Sequence, residues 1–225
     1  GIFGAASKIA MIMSMITQAF RYAYEPFVFG KSRDKDNKET YARAMKFFII
    51  FTLLAFLVVM GYMDILRHII GRDYWVGLKV VPIVMAGGIM TGVYFNLSFW
   101  YKLIDKTIWG AYFSGIGCAV IIGINVIFVP HYGYITCAWA GFLGNATAMI
   151  LSYIVGQRKY PIAYPLKSIF VYVLIGGLFF AGITISNERL SVPLALTVNT
   201  IIILLFVAHV LYHDLPLIKI RRHKS

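Results

Sequence analysis

The sequence predicts an all-α, polytopic membrane helix bundle of about seven transmembrane helices, and three observations carry that reading. First, the 225 residues are 60% hydrophobic and only 13% charged, with a mean hydropathy of +0.78. An ordinary soluble domain is about half apolar and about a quarter charged. A chain of this size leaves roughly a quarter or more of its surface in water and cannot hide that excess in one core. Second, six uncharged runs approach the roughly 20 residues that a helix needs to cross about 30 Å of hydrocarbon. Third, the basic residues gather on alternate loops. Composition thus argues against a soluble enzyme or a nucleic-acid-binding module.

The first segment is the awkward one. Its uncharged part, residues 9–20, reaches only about 18 Å at 1.5 Å per residue. Counted over 1–29 it is long enough, but it then carries Lys8, Arg21 and Glu25. The six clear runs follow at 47–63, 80–100, 107–130, 132–157, 168–187 and 190–208. The polar stretch 30–46 reads as a cytoplasmic loop, solvated over 30–40. Residues 64–75 mix apolar and charged side chains and read as a short interfacial helix ending at Gly71. Gly87, Gly88 and Gly92 behind Pro82 mark the third span as bendable, and Ala140, Gly144, Ala148, Ser152 and Gly156 form a small-residue ladder suited to close helix packing. Cys118 and Cys137 lie in apolar runs and read as small core residues rather than a disulfide framework. The chain opens Gly-Ile-Phe-Gly inside an apolar pattern, which reads as part of a longer protein.

Fifteen of the 21 Lys and Arg residues fall on one set of loops and four on the other. The positive-inside rule makes the richer side cytoplasmic, together with the C-terminal tail of Lys219, Arg221, Arg222 and Lys224. The net charge of +12 then reflects topology and anionic membrane lipid. No basic patch of the kind that binds nucleic acid is visible.

The chemistry-bearing candidates sit on the first helix. At 100° per residue, Ser7, Ser14, Gln18, Arg21 and Glu25 fall in a sector about 60° wide, with Lys8 off that stripe. A lipid-facing helix has no reason to align its polar groups, whereas one lining a wet cavity does, and charges near mid-bilayer face protein interiors. Two other readings stay open. Lys8 and Arg21 snorkel to opposite interfaces while Glu25 pairs with Arg21 at i,i+4, or the segment lies flat on the membrane. Asn96, Asn125, Asn145 and Asn199 read as interhelical hydrogen-bonding groups. His209, His213 and Asp214 have weak metal-ligand spacing, and no metal or other cofactor is expected. Gly115-Ile-Gly117 lacks the third Gly of a dinucleotide fingerprint. With no nucleophile elbow or paired carboxylates either, no enzymatic activity is expected.

The run Asn125-Val-Ile-Phe-Val-Pro130-His-Tyr-Gly133-Tyr-Ile-Thr-Cys-Ala138 resembles a span junction of the polysaccharide-biosynthesis flippases, in the multidrug/oligosaccharidyl-lipid/polysaccharide exporter superfamily. Pro130 is expected to end one helix and Gly133 to make the turn; Thr136-Cys137 stands where Gly-Ala is usual. Gly1-Ile-Phe-Gly-Ala-Ala-Ser-Lys8, closing at Glu25-Pro26, is similar to the family's opening helix, and Ile69-Ile-Gly71-Arg-Asp-Tyr74 to its outer element. The resemblance covers about residues 1–165, taken as a flippase lobe of five spans, while 166–225 adds two spans and the basic tail. It implies the C-terminal lobe of a fourteen-helix, inverted-access transporter in the bacterial inner membrane, partnered by an N-terminal half. It further implies carriage of undecaprenyl-pyrophosphate-linked oligosaccharide, with Lys8 at the family's basic position. Arg21, Gln18, Ser14 and Glu25 rest on the helical wheel alone. The alternatives are a cation-coupled multidrug exporter of the same superfamily or a non-transport seven-helix protein. A receptor is disfavoured because Asn199-Thr-Ile-Ile stands where an Asn-Pro-x-x-Tyr is needed.

Overall fold

The computed structural model describes residues 1–33 and 35–222, with side chains through Asp214. The charged side chains of Lys219, Arg221, Arg222 and Lys224 lie outside the described set. The chain is all-α. Its helices are α1 (Ile2–Lys31), α2 (Asn37–Gly61), α3 (Met63–Leu66), α4 (Val81–Leu97), α5 (Phe99–Leu103), α6 (Ile108–Tyr132), α7 (Tyr134–Lys159), α8 (Leu166–Arg189) and α9 (Val192–Arg222). Among the described residues, seven helical segments are long and apolar enough to cross a membrane, α1 among them.

Several boundaries differ from the sequence reading. The connection expected over 30–46 shrinks to residues 32–36, because α2 starts at Asn37. Hydropathy finds the apolar stretch of a helix, and the polar first turns need other support. Here Glu39 pairs with Arg43 at 2.9 Å, and the Tyr41 hydroxyl donates to the Val28 carbonyl at 3.0 Å. Pro26 does not close α1, which runs on to Lys31, and Pro130 does not end α6, which runs on to Tyr132. A proline removes one N–H and does not forbid continuation when the rest of the turn is held by packing. The turn itself falls at Gly133, whose φ of 65° is readily reached only without a Cβ. The expected interfacial helix at 64–75 is broken into α3 and two 3₁₀ stretches, Arg67–Ile69 and Arg72–Val80, on either side of Gly71. Cys118 is exposed rather than in a core.

Contacts divide the chain into two compact units. One is Gly1–Ile49 with Ile70–Pro165; the other is Ile50–Ile69 with the chain from Leu166 onward. The second unit thus takes in Ile50–Ile69 as well as α8 and α9. In the first unit the neighbours run α1, α4, α7, α6. The α7 ladder is buried at all five positions. A Cβ on Gly144 would stand 2.3 Å from Ile121 Cγ1 and 2.8 Å from the Gly117 carbonyl oxygen, so the α6 and α7 backbones touch there. Farther along α7, Trp100 Nε1 donates to the Ser152 carbonyl at 3.1 Å, beside Gly156.

In the second unit α8 packs on α9. The buried Asn199 amide donates to the Gly61 carbonyl at 2.9 Å and to Asn187 Oδ1 at 2.7 Å, tying both helices to the end of α2. Toward the other end of this pair, the Tyr172 hydroxyl donates to the buried Asp214 carboxylate. The rings of His209 and His213 touch at a tilt of 49°, with centroids 4.4 Å apart. No group of three metal-ligating side chains occurs among the described residues.

Candidate functional site

Helix α1 buries Ala6, Ala10, Met13, Thr17, Tyr24 and Val28, a row at intervals of three, four and seven that lies along one face. The polar edge of Ser7, Ser14, Gln18, Arg21 and Glu25 runs roughly 90° round from that row, along its shoulder. The structure separates its members. Lys8, Ser14 and Gln18 are exposed on the surface of the chain. Ser7 is half-buried and bonds back to the Phe3 carbonyl at 2.9 Å. Arg21 and Glu25 sink in, with side chains 36% and 30% exposed.

A third charge joins these two from α5. Lys102 Nζ donates to Glu25 Oε1 at 2.7 Å, while Arg21 Nε stands 3.7 Å from Glu25 Oε2. One carboxylate thus bridges two cations from two helices, and the cluster carries a net positive charge. Both cations also rest on aromatic faces, Arg21 on Phe95 at 5.1 Å and Lys102 on Phe99 at 5.3 Å, an arrangement that favours positive charge. Sequence reasoning missed Lys102 as a site residue and counted it as a loop charge. Its partner lies 77 residues away, a pairing that no local periodicity exposes.

Arg21 also lines a small, partly open cleft between α1, α2 and α4. Its polar lining includes Thr17 and Asn96, and its walls are the rings of Phe20, Phe48, Phe95 and Phe99. Thr17, Tyr24 and Asn96 are 5%, 8% and 7% exposed, yet Thr17 Oγ1, Tyr24 Oη, Asn96 Oδ1 and Arg21 Nε have no hydrogen-bond partner. A buried polar atom left unpaired costs about 1–3 kcal/mol, so four around one cleft call for a partner such as water or a polar group. At Gly92 the missing Cβ lets the Phe48 ring lie against the α4 backbone: a Cβ there would stand 2.2 Å from Phe48 Cζ and 3.1 Å from Thr17 Oγ1. Two donors or more, one carbonyl acceptor and aromatic walls suit an oxyanion with neighbouring hydroxyls, and low dielectric strengthens the charge term.

The remaining candidates serve packing or stand apart. Asn145 reaches across from α7 to the Gly87 carbonyl at 3.5 Å, and Asn199 bridges helices as described. Asn125 instead bonds within its own helix, to the Ile121 carbonyl, as Asn96 does to Gly92. A second cleft of about 170 Å³ lies beside Trp100, Tyr153, Tyr160 and Tyr164. Burial, reinforced by Tyr153 and Tyr160, pushes the Tyr164 hydroxyl well above the usual phenol range. The Tyr164 hydroxyl is therefore neutral at neutral pH, and among the described residues no charged side chain lines that cleft.

Seven apolar helices of spanning length and the absence of strands among the described residues define the class: this is a multi-pass, all-α membrane protein. The chain matches no protein-family model, no curated protein and no solved structure.

Proposed function

We propose that the chain is one lobe of a transporter that moves a lipid-linked oligosaccharide, its headgroup a prenyl pyrophosphate, from the cytoplasmic to the outer leaflet of a bacterial inner membrane by alternating access. The observation that carries this reading is the net-positive Arg21–Glu25–Lys102 cluster beside a cleft of unpartnered polar atoms. A pyrophosphate entering a membrane loses hydration, and cations in low dielectric offset that loss. The prenyl tail stays in lipid while the headgroup follows the polar edge of α1. A second lobe, the N-terminal half of the same protein, supplies the opposite wall, and rocking of the two lobes exposes the site to each side in turn. Loop charges set the C-terminus in the cytoplasm. A drug exporter coupled to a cation fits less well, because Glu25 is held by two cations and is not free to take a third.

The test is loss of surface glycan. Arg21→Ala and Lys102→Ala are each expected to lower it about tenfold at unchanged protein level, the scale of one lost charge-assisted contact. Lys8→Ala, outside the cluster, is expected to do less. Unchanged glycan in both Arg21→Ala and Lys102→Ala overturns the proposal.

A further inference from the structure

We propose that Glu25 is a built-in competitor for the transported anion: it occupies the cation pair when the site is empty and returns to drive the headgroup out. This rests on the anion-site reading above and adds the regulation of that site. The geometry has an asymmetry that motivates it. Glu25 satisfies Lys102 at 2.7 Å but stops 3.7 Å short at Arg21 Nε, which is buried without a hydrogen-bond partner. Arg21 and Glu25 sit on α1 four positions apart, a rise of about 6 Å, and the carboxylate is drawn close to Lys102 on α5 rather than to Arg21.

A phosphate oxygen carries no such tether. It can approach Arg21 to hydrogen-bond distance while a second oxygen of the same group takes Lys102, replacing one good and one poor contact by two good ones. The displaced carboxylate is 30% exposed and has a route to water. Exchange of one anion for another means that the two cations are never bare, and never hold the cargo against no competition. A transporter needs that balance, since a site that only attracts does not release.

The experiment is titration of the protein in nanodiscs of zwitterionic lipid with inorganic pyrophosphate, repeated with farnesyl pyrophosphate as a lipid-borne headgroup. Glu25→Gln keeps the side-chain size and removes the charge. It is expected to tighten binding about tenfold, the combined scale of two partly exposed ion pairs. Arg21→Met in the same background is expected to abolish the gain. Glu25→Asp, charged but shorter, gives a smaller tightening of the same sign and covers the case in which the Gln variant misfolds. Tightening with both probes supports the proposal, and tightening with the prenyl probe alone supports it with the site opening to the membrane. Wild-type binding that Arg21→Met removes but Glu25→Gln leaves unchanged overturns the competitor role and leaves the anion site standing. Absence of binding in every variant overturns both.

Discussion

The two seams that flank α4 and α7 in the first unit are built from opposite materials. Where α6 meets α7, Gly117 and Gly144 bring backbone to backbone, a Cβ on either falling 3.0 Å or less from the other's carbonyl oxygen. Where α1 meets α4, aromatic rings and Gly92 surround a cleft with unpaired polar atoms. The small-residue seam gains dispersion contacts along its length. The ring-lined seam leaves four buried polar atoms unsatisfied. Close packing and unpaired polar groups therefore fall on different helix pairs, and the pair with the unpaired groups is the one with the charges.

Three substitutions break or sharpen that contrast, in descending order of effect. Gly144→Leu drives a side chain into Ile121 and into the Gly117 backbone, neither of which can yield cheaply. Its expected cost is about 3 kcal/mol, the upper part of the range for overpacking, read as a lower midpoint in denaturant or heat. Gly92→Ala meets only the edge of the Phe48 ring and Thr17 Oγ1; about 1–2 kcal/mol is expected, with anion binding lost because the cleft closes. A larger loss from Gly92→Ala than from Gly144→Leu would reverse the comparison. Asn96→Leu removes an unpaired acceptor together with an amide that bonds only within its own helix. Stability is expected to change by less than about 1 kcal/mol while transport falls. Such a split separates a site residue from a packing residue; an unfolding penalty with transport intact would place Asn96 among the latter.

Much of the first seam was legible in the sequence, because small residues every fourth position on α7 are a periodic signal and periodic signals survive in one dimension. The second was legible by half. Arg21 and Glu25 stood out on the wheel of α1, while Ser14 and Gln18, equally aligned, remain on the outer surface. A wheel reports which residues share an edge and not which neighbour that edge meets. Thr17, Asn96 and Lys102 were absent from the candidate site for the same reason. Lys102 matters through Glu25 on another helix, and Thr17 and Asn96 through the cleft they line together.

Sequence alone determined that the chain is helical and membrane-spanning, and where its apolar segments lie, because hydrocarbon imposes length and charge limits on every segment separately. It also determined which positions on α7 allow close approach. Tertiary structure decided that Lys102 joins Arg21 and Glu25, that the Phe48 ring lies against Gly92, and that the end of α2 groups with α8 and α9. Those outcomes depend on which side chains from distant parts of the chain meet, and that is set by how all the helices fill space together.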